Sequence, residues 1–371
     1  MKRKMKINYG ALIGGLFGCA FGIAAARLVP VAPSFSNLLV ILALSFLLMY
    51  LHILLHEAGH LLFGLATGYR FLSFRIGALV WVKMDGRIRL KRLSSPLMSG
   101  QCLMAPPELK NGRMPAVLYH LGGCILNLIV TALSSVLLFA FPAWPTLLRI
   151  VLLLFSFLGV LNFAENALPL EVGAMRTDGK NALELLRHPA SVRGFWLQLK
   201  VHELSTDGMR MKDMPAEWFA EPGREEDEAA AAMILVYRTF WLMDRGEFAA
   251  AHALDEKLTG GAYPLSKPIR FILLCDGASC EMLGAAEGGL LAALHSEDME
   301  AVARRMRNSI TLIRTRYLEA LLVRRDRAEA DKLRKKLDSM KQTYPSKGDY
   351  ATELALAEAA EAAAGPVDRK P

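Results

Sequence analysis

The sequence predicts a mainly α protein: a polytopic transmembrane helical bundle with a cytoplasmic β-hairpin, followed by a C-terminal α-helical soluble domain. Three observations predict it. Mean hydropathy is positive, +0.28, although 22% of the 371 residues are charged. Four apolar stretches reach the ~20 residues that a helix needs to cross a bilayer. The charge also divides near residue 180: residues 1–179 carry 16 Lys/Arg against 6 Asp/Glu, and residues 180–371 carry 28 against 30. The basic excess therefore lies in the apolar half, as it does where Lys and Arg collect on the cytoplasmic flanks of membrane spans. This composition excludes a disordered chain, a collagen-like fibre and a small disulfide scaffold. It also turns the basic balance away from nucleic acid and toward the lipid bilayer as partner.

The first apolar stretch runs from about Tyr9 to Val29, behind the basic start Met-Lys-Arg-Lys-Met-Lys. Ala24-Ala25-Ala26 gives it some likeness to a signal peptide, but its length and the closing Arg27 favour a retained helix. The second stretch runs from about 38 to 65, the third from 116 to 141 and the fourth from 147 to 168. The loop from Thr67 to Arg113 holds nine Lys/Arg against Asp85 and Glu108, whereas the loops Pro30–Asn37 and Pro142–Thr146 hold no charge. The positive-inside rule places the long loop in the cytoplasm and the two short ones outside. A multi-pass protein of the cell membrane with a cytoplasmic C-terminus follows. Within the basic loop, apolar and polar letters partly alternate on both sides of Asp85-Gly86, which predicts a β-hairpin over about 78–90. Such a hairpin could be a plain connection, or an exposed edge that holds an extended peptide by strand addition.

Residues 1–180 thus form a transmembrane domain and 181–371 a cytoplasmic helical one. Ala-rich helical spacing over 229–258, interrupted at Gly246-Glu247-Phe248, weakly resembles a tetratricopeptide hairpin. Segments near 281–294, 297–323 and 326–341 also read as helices. The five cysteines, Cys19, Cys102, Cys124, Cys275 and Cys280, contain no C-x-x-C pair and read as reduced thiols.

Chemistry concentrates in the second apolar stretch, at His56-Glu57-Ala58-Gly59-His60, an H-E-x-x-H motif. On a helix, positions i and i+4 share one face. Two imidazoles there can hold one Zn²⁺ with the glutamate beside the activated water. The metal lowers the pKa of that water, and the carboxylate moves its proton to the leaving amine. A His-Glu-His cluster at membrane depth is costly and therefore functional by default. His52 lies on the same face, but about 12 Å along the helix from His60, too far to share the metal. A catalytic zinc needs a third protein ligand. Asp178, followed by glycine, suits a tight turn; Glu165 and Glu171 are rivals. Asn127 and Asn166 are amides placed to hold a peptide or an oxyanion, or to bond helix to helix. His120, in the first turns of the third span, reads as interfacial.

These motifs resemble the site-2 protease family of intramembrane zinc metalloproteases, which joins H-E-x-x-H on one transmembrane helix to N-x-x-P…D-G at a later one. The matching residues are Asn166-Ala167-Leu168-Pro169 and Thr177-Asp178-Gly179, with Gly123-Cys124-Ile125-Leu126-Asn127 resembling the family's G-P-x-x-N. The resemblance implies His56, His60 and Asp178 as zinc ligands, Glu57 as general acid/base, and a site near the cytoplasmic face. It covers about residues 36–180. The chain departs from the family pattern in a longer stretch from Pro169 to Asp178, in Thr177 where Leu is common, and in Cys124 where Pro is usual. No PDZ-like segment is recognisable.

The expected function is a membrane-embedded zinc endopeptidase that cuts peptide bonds in or near the membrane. Its substrate would be a membrane protein or peptide, and its C-terminal domain would offer a site for a protein partner. The alternative is a non-proteolytic metal-binding membrane scaffold whose helical domain recruits partners.

Overall fold

The computed structural model describes residues 22–23, 27, 34–84, 86–92, 100–172 and 175–365. Apart from Gly22, Ile23 and Arg27, the predicted first span lies outside them, as does Asp85. The described chain is mostly helical with a small antiparallel sheet. Among the described residues, three helices are long and apolar enough to cross a membrane: α1 (Phe35–Ala66), α2 (Ala116–Ala140) and α3 (Thr146–Ala167). They match the second, third and fourth predicted stretches. Ser34 starts α1, its hydroxyl accepting from the Asn37 amide at 3.2 Å.

The outer faces of these helices are apolar. Leu38, Leu39, Phe46, Leu47 and Leu62 of α1 are exposed, as are Leu133, Val136 and Phe139 of α2. Leaving such a side chain in water forfeits about 1.5–3 kcal/mol of burial energy, so the bundle calls for an apolar surrounding. The inner faces carry the polar residues and small contacts. Gly59 and Gly122 pack backbone to backbone where α1 crosses α2, and a Cβ on either would overlap the other's carbonyl. Small residues are what let helices approach this closely in a membrane.

Four strands follow α1: β1 (Arg70–Ile76), β2 (Leu79–Met84), β3 (Arg87–Arg92) and β4 (Gly100–Ala105). Their order is β3-β2-β1-β4, all antiparallel. β2 and β3 form the hairpin around Gly86, with Met84 opposite Arg87. β4 is an edge strand. It is fastened to α2 by the Tyr119 hydroxyl, which donates to the Cys102 carbonyl at 2.7 Å.

After α3, the short pair β5 (Glu171–Val172) and β6 (Met175–Arg176) leads into α4 (Asp178–Arg187) and α5 (Val192–Asp207). α5 packs against β4 and against α6 (Glu228–Arg245). Trp196, Leu197, Phe219, Ile234 and Leu242 build the first core of this helical half. α6 and α7 (Phe248–Lys257) form a helical hairpin at Gly246. Then come α8 (Lys267–Met282), α9 (Leu290–Leu294), α10 (Glu297–Arg305), α11 (Ile310–Leu318), α12 (Arg327–Ser339) and α13 (Lys347–Ala364). Two sequence expectations are corrected here. The segment 281–294 is not one helix, because α8 ends at Met282 and Gly284 takes φ +71°. The segment 297–323 breaks between Arg305 and Ile310, where Ser309 opens the next helix.

Candidate metal centre

His56, Glu57 and His60 lie on the buried face of α1 that turns toward α2 and α3. Gly123 makes room for His56: a Cβ there would meet the ring at 2.6 Å. His60 Nδ1 donates to the Tyr119 carbonyl at 2.8 Å, which leaves Nε2 as a lone pair aimed into the site. Fixing one ring nitrogen in this way is how metal-ligating histidines are oriented.

Asp178 arrives from outside the long helices, as the first residue of α4. Two devices hold it. The Thr177 hydroxyl caps α4 by accepting from the Lys180 amide at 3.2 Å, and donates to the Leu168 carbonyl at 2.6 Å. Gly179 presses on the Ala167 carbonyl, where no Cβ would fit. Asp178 Oδ2 then lies 2.9 Å from His56 Nε2 and 3.3 Å from His60 Nε2, and the two imidazole nitrogens are 3.1 Å apart. Burial pushes the Asp178 carboxyl up, but its contacts with His120, His56 and His60 outweigh this and leave it well below the usual carboxylate range.

These distances suit a metal. A tetrahedral ion with arms of about 2.0–2.1 Å has ligand-to-ligand edges of about 3.3 Å. Three lone-pair-bearing atoms converging so closely is an arrangement that a cation stabilises. The buried His56 Nδ1 has no hydrogen-bond partner among the described residues, so this ring, unlike that of His60, is placed by packing against Gly123. His56, His60 and Asp178 could therefore hold a metal ion.

A cavity of about 1040 Å³ opens on this trio. Glu57 faces it and lies against Gly100, where a Cβ would come within 2.6 Å of a carboxylate oxygen. Gly100 to Leu103 of β4 form one wall, so the sheet edge that borders the site is β4; the hairpin's free strand, β3, lies at the opposite edge. The helical half supplies another wall through Phe195, Gln198, His202 and Tyr237.

The remaining candidates separate. Asn166 lines the cavity, its Nδ2 donating to the Asn162 carbonyl at 2.9 Å. Asn127, expected to bind substrate, is placed elsewhere: it is fully buried, bonds to Asn162 and does not line the cavity. Its amide ties α2 to α3. His52 is fully buried and bonds the Phe155 carbonyl at 2.8 Å, a structural link from α1 to α3. Glu165 lines the cavity without joining the ligand trio, and Glu171 faces Arg176 instead.

On the membrane helices, the sequence reading passed over Asn162 and gave His120 no part in the site. His120 lines the cavity and is buried, with Nδ1 3.8 Å from Asp178 Oδ1. Asn162 lies beside Asn166. Helical spacing could have found both, since Asn162 and Asn166 are four apart and His120 shares a face with Gly123 and Asn127.

No protein-family model, no curated protein and no solved structure matches the chain.

Proposed function

We propose that the chain is a multi-pass membrane zinc endopeptidase similar to the site-2 proteases, with Glu57 as its general acid/base. The observation that carries this reading is the convergence of His56 Nε2, His60 Nε2 and Asp178 Oδ2 beside Glu57, on a cavity walled by the edge strand β4. Two imidazoles and one carboxylate suit zinc. A zinc ion held by them supplies an acidified water and a polarised scissile carbonyl. Glu57 accepts the proton of the attacking water and delivers it to the leaving nitrogen. Asn166, and Asn162 beside it, offer amide groups to the peptide in the cleft. A helical peptide bond is shielded by its own hydrogen bonds, so the substrate enters unwound. The extended segment then lies along the β4 wall of the cavity, Gly100 to Leu103, where the Cys102 carbonyl is already held by Tyr119.

The charge pattern supports four spans, a cytoplasmic helical half and a site near the cytoplasmic face. Membrane proteins or peptides are the substrates this placement favours. The test compares cells carrying the wild-type chain with cells carrying Glu57→Gln, alongside the zinc content of both purified proteins. The expected result is equal zinc and an accumulation of uncleaved membrane fragments in the variant. Equal zinc with unchanged processing overturns the protease reading and leaves a metal-binding scaffold.

A further inference from the structure

Two of the three ligands, His56 and His60, sit four residues apart on one helix and are fixed relative to each other. The third has no such guarantee. Asp178 follows a short two-stranded turn that begins after α3, and its carboxylate must meet the imidazoles within a fraction of an ångström. The Thr177 and Gly179 contacts tie Asp178 to the end of α3. A further tie comes from the other side. Arg176, two residues before Asp178, sends Nη1 to Asp227 Oδ1 at 2.8 Å, and both side chains are largely buried. Asp227 is 51 residues away in sequence and is itself held by hydrogen bonds within the helical half. The same Oδ1 caps α6, accepting from the Ala229 amide at 2.9 Å and the Ala230 amide at 3.3 Å. The Asp227 amide donates to Ser191 Oγ at 2.8 Å. Arg176 Nε also lies 3.6 Å from Glu171 on the paired strand, so its guanidinium bridges the turn to the helical half.

We propose that Asp227 is a positioning residue for the metal centre: acting through Arg176, it anchors the turn that carries Asp178, so metal retention depends on an ion pair to the helical half. This rests on the metal-centre reading above. Asp227 touches neither metal nor substrate. Its effect is to hold the backbone at Arg176, and so the reach of a short aspartate side chain two residues on.

The test uses the full chain in detergent, loaded with zinc or with cobalt as a coloured substitute. Asp227→Asn removes the charge while keeping a good helix cap, since Asn and Asp cap equally well. Arg176→Gln removes the pair from the other end, and Arg176→Lys keeps the charge. Arg70→Gln breaks a different ion pair to the helical half, the one to Glu203. Metal loss is read against rising chelator concentration, and ligand geometry from the cobalt absorption bands. Loss of an orienting partner typically weakens metal binding about 10–100-fold. That loss is expected in Asp227→Asn and Arg176→Gln with altered cobalt bands, and wild-type behaviour is expected in Arg176→Lys and Arg70→Gln. Wild-type retention and wild-type bands in Asp227→Asn overturn the positioning role alone. An equal loss in Arg70→Gln overturns it too, because the effect would then be a general loosening. A wild-type chain that takes up neither metal overturns the metal-centre reading and this inference together, whereas a chain that binds metal but cuts nothing leaves the inference standing.

Discussion

Gly123 lies against the His56 imidazole, so close that a Cβ at that position would stand 2.6 Å from ring atom Cε1. The ring cannot be where it is unless residue 123 lacks a side chain. Gly123→Val should therefore displace His56. Overpacking a tight site costs about 1–3 kcal/mol, and here the imidazole is the part that must yield. Zinc content of the purified variant should fall at least severalfold while far-ultraviolet circular dichroism keeps the helical signal. A fully zinc-loaded Gly123→Val would show that His56 does not depend on this contact.

Thr177 works at two ends. Its hydroxyl caps α4 and donates to the Leu168 carbonyl. Thr177→Val keeps the shape and removes both bonds, at a cost of about 0.5–2 kcal/mol for the cap. A lower melting temperature and faster zinc loss to chelator are expected, with Thr177→Ser close to wild type. Identical melting of Thr177→Val and wild type would count against the hydroxyl.

How much of this could be read from the letters depends on how local each relationship is. His56, Glu57 and His60 were legible because one helical turn brings them together. The long helices were legible for the same reason: length and apolarity are properties of a single segment. Asp178 was one of three candidates until its resemblance to a motif singled it out, because its approach depends on contacts with the end of α3 and with α6. The wall built by Gln198, His202 and Tyr237 was invisible, since it exists only when α5 and α6 dock beside β4. Strand β4 was missed too. Its sequence, Gly-Gln-Cys-Leu-Met-Ala, lacks clean alternation, and its burial does not alternate either.

The helical half has a pH dependence of its own. Burial pushes the Asp255 carboxyl well above the usual carboxylate range, Asp276 reinforces this, and Arg314 and Thr239 offset it only in part. A folded-state pKa raised above the unfolded value gives stability that is fully present below the unfolded pKa, about 3.9 for aspartate. That stability is lost as pH rises through the folded pKa. Asp255→Asn removes the titrating group. The variant should melt higher than wild type at pH 8, with the gap closing toward pH 4. A gap that widens on acidification would reverse the sign and refute the upward shift of the Asp255 carboxyl.

Asn127 and Asn166 both carry an amide in the bundle, yet their surroundings assign them different work. Asn127 is fully buried and donates to Asn162 Oδ1, while Asn166 lines the cavity. Removing Asn127 takes from the buried Asn162 Oδ1 its nearer donor and leaves only the longer 3.4 Å bond from Asn166, a loss of up to about 1–3 kcal/mol. Asn127→Ala should therefore lower the melting temperature, and under the proposed protease reading each folded molecule should keep its activity. Asn166→Ala removes an amide that lines the cavity, where the proposed protease would hold its substrate. Loss of a donor to a developing oxyanion costs about 10²–10³ in rate, and an amide that only holds the peptide costs less, so a fall of at least tenfold is expected with little change in melting. Casein, unfolded and readily followed on gels, serves as the test polypeptide for the detergent-solubilised chain. If Asn127→Ala lost cleavage as deeply as Asn166→Ala without losing stability, the buried amide would be acting on the reaction, and its placement as a helix-to-helix tie would be wrong.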